Sequence, residues 1–390
     1  MDVDDLLDEL CALVDKSVLI RTEVDGTVRF RLLATLRDYG RAHVGSADEY
    51  RRLQRRHLDW YRRLLSKARS EFFSENQVQW IETVRREMAN LHEALQFGLT
   101  DSPETVLEMT AAMRFVWVAT GMLQEGRRWV EQALNATRDT PAPQRVNAVA
   151  ALGVLAVFQA DWATATACVE EARALVTEVT DPRTRGLVDT LGGFGALLRG
   201  EVEQAQASAE RALESSDDFE VQIFSRLMLS WRFAISGAAE RALSCAEQAL
   251  ALAESRGETV MRNYMLASVG ISRFALGDLS LAARALQEGL QRCRLIGDAW
   301  TGAQFLEMLA WIAAADHAPR RAAVLMSASA SVSRASGTNS TTMALLGLFH
   351  QECERQVHSE MAEAEFKTAS LEGGSLSFDE AAAVALAQSR

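Results

Sequence analysis

From about residue 104 the chain interrupts its helical pattern at Gly121, Asp161, Gly200, Gly237, Gly277 and Asp316. The steps between these breaks are roughly 37 to 40 residues. After successive breaks comes a similar alanine-rich segment: RRWVEQAL, ATACVEEARAL, AQASAERAL, ALSCAEQALAL and LAARALQEGL. A helix pair of this size cannot bury its apolar face alone, so neighbouring pairs must stack. The spacing therefore predicts an all-α fold, an α-solenoid of about six helix pairs.

The period exceeds the 34 residues of a minimal tetratricopeptide repeat, which implies longer helices or longer turns. Gly277-Asp278 followed by LSLAARAL nevertheless has the character of a tetratricopeptide turn. Composition agrees: 48% of residues are hydrophobic and 24% charged, enough for a large core and too apolar for global disorder. The net charge of −12 argues against a general nucleic-acid binder, which needs a basic surface to neutralise phosphates.

The five cysteines (Cys11, Cys168, Cys245, Cys293 and Cys353) are odd in number, widely spaced and without a CxxC, as expected in a reducing compartment. The opening MDVDDLLDEL is acidic where a secretory leader is basic. No run of about 18 apolar residues could span a membrane. A cytoplasmic location without membrane association is expected.

Residues 1–45 read as helix, hairpin, helix, the way a winged-helix domain ends. Leu6, Leu7, Leu10, Leu13 and Val14 fall at helical spacing. VLIRTEV and TVRFRLL flank Asp25-Gly26. A two-residue turn pairs Val18 and Ile20 with Leu33 and Arg31. A three-residue loop with Gly26 left-handed pairs Ile20 with Phe30 and Val18 with Leu32. Because register follows the buried face, the bulged loop is expected. Thr35 should cap a helix running to about Val44.

Residues 46–100 read as a helical linker of two amphipathic helices. The first turns Leu53, Leu58, Tyr61, Leu64 and Leu65 inward, and the second Trp80, Ile81, Val84, Met88, Leu91 and Leu95. Residues 101–368 form the solenoid. Residues 369–390 form a tail in which Ser377 and Glu380 make a capping-box pattern opening a last short helix near 378.

Chemistry-bearing motifs are sparse. VDKS at 14–17 has the lysine and serine of a phosphate-binding loop but none of its glycines, and Lys67 and Lys367 are not preceded by glycine either. GGFG at 192–195 lies inside a repeat helix, where glycines allow close packing. His350, Glu354 and His358 share a helix face with Cys353 nearby, yet the spacing is no zinc signature. No nucleophile–base arrangement can be placed, so no enzyme activity, catalytic residue, metal or cofactor is expected. Polar residues on the first helices of late repeats, Arg226, Asn263, Gln304 and Glu307, are candidates for contacting a partner or effector on the inner face of the array. Residues 50–69 hold eight basic side chains and one acidic one. Arg51, Arg52, Arg55 and Arg56 are candidates for DNA or partner contact, alongside Arg21, Arg29 and Arg31 on the hairpin.

At residues 10–40, LCALVDKSVLIRTEVDGTVRFRLLATLRDYG resembles the end of the winged-helix subdomain in large actinobacterial STAND-ATPase regulators with a LuxR-type output domain. Leu13–Leu19 resembles that family's LVDKSLL, and Arg29–Gly40 its RYRLLETIRQYG. Glu87, Asn90, Leu91, Ala94 and Leu95 resemble its EHDNLRAAL, in the helices that join winged helix to repeats. GGSLSFDEAAAVALA resembles the segment before the LuxR-type helix-turn-helix. The resemblance implies a regulatory sensor solenoid that binds a protein or small-molecule effector, with a STAND-type chain as a further partner. ATP is implied only for the family's nucleotide-binding domain, whose residues are not in this chain, and the same holds for the helix-turn-helix. The alternative function is a DNA-binding regulator acting through the wing hairpin and the Arg51–Arg63 helix.

Overall fold

A computed structural model describes residues 3–24, 27–43, 45–138, 142–159, 161–335 and 344–387. The chain divides into two compact units, residues 1–61 and 62–390.

In the first unit α1 (Val3–Asp15) leads into β1 (Leu19–Val24), which pairs antiparallel with β2 (Thr27–Leu32). α1 stops because Ser17 turns left-handed, with φ 57°, and Val18 N donates back to Leu13 O at 2.9 Å. α2 (Ala34–His43) follows, and then α3 (Ala47–Glu71), which runs on into the second unit.

The hairpin register corrects the expected one. Leu19 faces Leu32, Ile20 faces Arg31 and Arg21 faces Phe30, the pairing of a two-residue turn. The expectation of a bulged loop assumed that one hairpin face is buried. Instead Phe30 and Leu32 are 39% and 38% exposed, so burial does not select the register. The turn residues Asp25 and Gly26 lie outside the described residues, as does Val44. Thr35 sits inside α2 rather than before it. Leu53 is exposed, whereas Leu58 and Tyr61 are buried.

The second unit begins with the rest of α3 and with α4 (Gln77–Asp101), whose Val84, Met88, Leu91 and Leu95 are buried. Helix pairs then succeed one another. The first is α5 (Pro103–Ala112) and α6 (Arg114–Ala119) against α7 (Leu123–Ala136). Next come α8 (Ala142–Phe158) with α9 (Trp162–Val176) and α10 (Pro182–Leu198) with α11 (Val202–Ser215). They are followed by α12 (Phe219–Ile235) with α13 (Ala239–Ser255), α14 (Val260–Ala275) with α15 (Leu279–Ile296), and α16 (Ala299–Ala315) with α17 (Pro319–Ala335). The helices α18 (Ala344–Glu360), α19 (Glu363–Gly374) and α20 (Phe378–Leu386) close the unit. This is the expected solenoid of six pairs.

One turn recurs inside the pairs. Glu201 N, Ala238 N, Asp278 N and Ala318 N each donate to the carbonyl five residues earlier, at 2.8–3.0 Å. This bond requires a left-handed residue just before the donor. Gly200, Gly237 and Gly277 supply it with φ 78°, 74° and 82°, and His317 fills the seat at 54°. Small residues then let the paired helices approach. Ala205, Ser208, Ala209 and Ala212 of α11 are buried, and so are Ala242, Ala246, Ala249 and Ala253 of α13. GGFG does serve packing: a Cβ on Gly193 would lie 2.5 Å from Met228 Sδ. The tail folds back onto the array. The Phe378 ring covers Gly302, Gly373 abuts the Val324 carbonyl, and the Ser377–Glu380 capping box forms. Among the described residues no helix is long and apolar enough to cross a membrane.

Candidate functional site

The first helices of the pairs carry aromatic residues that meet one another. Phe194 of α10 lies 6.4 Å from Phe224 of α12 and 5.9 Å from Trp231. Phe158, at the end of α8, lies 6.4 Å from Tyr264 of α14 and 5.4 Å from Trp300 of α16. Residues in the second, fifth and sixth pairs can meet only across the concave side of the array. The band therefore marks that inner groove. Phe158, Phe194, Phe224, Trp231 and Trp300 remain partly exposed above a core of Phe219, Ile223, Leu227, Met261 and Met265. Trp231 anchors its indole N–H on Ser268 Oγ at 2.9 Å.

The α3–α4 turn enters the same groove. Phe72 stacks on Phe115 at 6.0 Å, and Phe73 meets Phe115 at 5.4 Å and Phe219 at 5.1 Å. Gln77 is fully buried. Its Oε1 accepts from Thr259 N at 3.1 Å and Val260 N at 2.8 Å, and its Nε2 donates to Glu258 Oε1. These bonds satisfy amides at the start of α14 that have no intrahelical partner. Burial raises the Glu258 carboxyl above its ordinary range.

Beside the turn lies a charged corner. Glu220, buried on α12, accepts from Arg114 Nε at 3.1 Å and from Arg183 Nη2 at 2.7 Å. Arg183 Nε also donates to Asp218 at 2.9 Å. Arg69, near the end of α3, completes it. Burial first, and then the like charges of Arg114 and Arg183, lower its pKa to about 10 against the pull of Glu220 and Glu108.

The residues singled out from sequence are placed as follows. Asn263 is fully buried, accepts from Arg292 Nε at 3.2 Å and donates to Cys293 Sγ at 3.4 Å. Glu307 is fully buried and accepts from Trp311 Nε1 at 3.0 Å and His350 Nδ1 at 2.7 Å. Arg226 is half-buried and donates to Gln222 O at 3.1 Å. Gln304 is half-buried on α16. Thus the pairing of Asn263 and Glu307 is internal. Arg51, Arg52, Arg55 and Arg56 are exposed on α3 within the first unit. The His350–His358 face is divided among separate contacts. Glu307 takes His350, Cys353 lies against Met326, and His358 faces Glu363 at 3.7 Å and the Phe366 ring at 4.2 Å. Among the described residues no three His, Cys, Asp or Glu side chains gather as a metal would require.

Arg69, Phe73, Gln77, Arg114 and Arg183 are not among the candidates that the sequence offers. Two signals were available: an arginine inside the apolar run AAMRFVW, and the pair Phe72-Phe73 in a turn between long helices.

A Rap protein in complex with Competence and Sporulation Factor aligns with a TM-score of 0.51 and 12% identity, over 83% of this chain and 96% of that one. The chain is a tetratricopeptide-like solenoid. A STAND protein with a tetratricopeptide repeat sensor from Pyrococcus horikoshii aligns at TM-score 0.46 and 14% identity, over 92% of this chain and 60% of that one. In sequence the chain is 24% identical over 300 residues to proteins named as HTH-type transcriptional regulators in Mycobacterium tuberculosis and Mycobacterium bovis. The alignment takes in 74% of this chain and 34% of theirs, so the chain spans about a third of the length of these relatives. No family model matches. The similarity to HTH-type regulators agrees with the resemblance carried by residues 10–95.

Proposed function

We propose that this chain is the sensor portion of a transcriptional regulator and that it binds a peptide segment of a protein partner, or an effector of similar chemistry, in the inner groove of its solenoid. The observation that carries this is the partly exposed band of Phe158, Phe194, Phe224, Trp231 and Trp300, which joins non-adjacent repeats. Aromatic side chains on a rigid concave surface give large contact area at low entropy cost. The structural neighbour in complex with Competence and Sporulation Factor lends the same fold a bound partner. The proposed role is non-catalytic. Nucleotide switching and helix-turn-helix binding would belong to other parts of such a regulator or to a STAND-type partner chain.

Peptide-display selection on the full chain tests this. Sequences enriched on the wild type should be lost on a Phe194→Ala/Trp231→Ala variant that still melts cooperatively. Equal recovery on both proteins would contradict the groove as the binding surface.

A second reading is favoured by the exposure of Arg51, Arg52, Arg55 and Arg56 along one helix stretch: direct DNA contact by the first unit. A mobility shift of duplex DNA that weakens steeply with salt, and vanishes when the four arginines become alanine together, would support it. No shift at low salt would end it.

A further inference from the structure

We propose that the exposed face of α3 around Trp60 docks the acidic helix α1 of a second copy of this chain, so that two copies pair reciprocally through their first units.

Within the first unit α3 has two faces. Leu58 and Tyr61 are buried. Leu53, Arg56 and Trp60 follow one another at steps of three and four residues on the opposite side, and all three are exposed, Trp60 by 49%. Arg52 and Arg56 make no hydrogen bond or ion pair with a described residue. From Tyr50 to Tyr61 the helix carries four arginines against one acid, Asp59. An indole left in water among arginines has the make-up of a contact anchor, since tryptophan and arginine dominate protein interfaces. The phosphates of duplex DNA would engage the arginines and leave Trp60 and Leu53 without a role.

Helix α1 is the complement. It holds five acidic side chains and no basic one. Its Leu10, Leu13 and Val14 are half-buried, whereas Leu6 and Leu7 stand exposed beside Asp8 and Glu9, Leu7 by 51%. Each copy thus owns an acidic apolar helix and a basic apolar face. A contact from α1 to α3 made once is made again about a two-fold axis. The apolar side chains supply the affinity, because exposed ion pairs alone contribute little, and the charges fix partner and register. This pairing does not depend on the groove reading. It occupies the arginines that direct DNA contact would use.

Sedimentation velocity of the full chain in reductant, from about 1 to 100 µM, reads the pairing. The wild type should be dimeric at low salt and dissociate about tenfold more readily at high salt. Trp60→Ser should weaken the dimer at least about tenfold while the variant still melts cooperatively. Asp8→Arg/Glu9→Arg and Arg52→Glu/Arg56→Glu should each be monomeric, because like charges then meet across the contact. An equimolar mixture of the two should regain the dimer, since acid again faces base. Cys11, exposed one turn from Leu7, should be alkylated more slowly in the dimer than in either variant. A wild-type monomer at low salt over this range would overturn the proposal, and one that shifts duplex DNA would assign the arginines to the DNA reading. A dimer indifferent to both charge reversals would overturn it by placing the interface elsewhere. So would a mixture that stays monomeric although each variant melts cooperatively.

Discussion

Gln77 and Glu258 stand 181 residues apart in sequence, yet the buried amide of one donates to the buried carboxyl of the other. The same amide holds the first N–H groups of α14. One side chain at the start of α4 thus ties the opening helices of the second unit to its fifth helix pair. Gln77→Ala should remove these bonds and leave the buried Glu258 carboxyl with backbone donors such as Arg262 N alone. A loss of about 2–4 kcal/mol is expected in urea unfolding. A loss under about 0.5 kcal/mol, at the level of an ordinary surface change, would show that the contact does not hold.

Arg114 and Glu220 invite a double-mutant cycle. Removing Arg114 alone strands a buried carboxylate partly compensated by Arg183, and should cost about 3–5 kcal/mol. Arg114→Met combined with Glu220→Met replaces charge by apolar volume and should recover most of that loss. Additive losses in the double variant would refute the pairing.

The Glu307–His350 pair makes stability depend on pH. The hydrogen bond to Glu307 raises the His350 pKa above its usual 6.5, against the opposing effect of burial. A raised folded-state pKa stabilises fully below the unfolded value and loses that contribution as pH rises through the folded value. The Tm difference between wild type and His350→Gln should accordingly be larger at pH 6 than at pH 9. A difference that is constant, or that grows with pH, would contradict the ion pair.

Gly237 isolates a purely conformational effect. Its φ is 74° and nothing lies within 4 Å of where a Cβ would stand. Gly237→Ala should therefore cost about 1–2 kcal/mol through backbone strain alone. An unchanged Tm would mean that the turn relaxes to another conformation.

The sequence made the solenoid readable because its period is written in breaks that the turn chemistry demands. Gly121, Gly200, Gly237 and Gly277 are each left-handed in the structure. The capping box at Ser377 and Glu380 was legible for the same reason: it is a local rule. The hairpin register was not, since it was inferred from a buried face and Phe30 and Leu32 have none. The groove was legible only in outline. That first helices face inward follows from periodicity, but which of their polar residues stay free depends on neighbours far away in sequence. Glu307 is taken by His350 and Asn263 by Arg292. Conversely Arg114 reads as an oddity in an apolar run until Glu220, 106 residues later, is placed beside it.

The most direct measurement is hydrogen exchange of the full chain with and without a display-selected peptide. Protection should rise at the ends of α8 and α10, along α12 and at the start of α16, where Phe158, Phe194, Phe224, Trp231 and Trp300 stand. Protection confined to the second helices of the pairs, or to residues 1–61, would contradict binding in the groove.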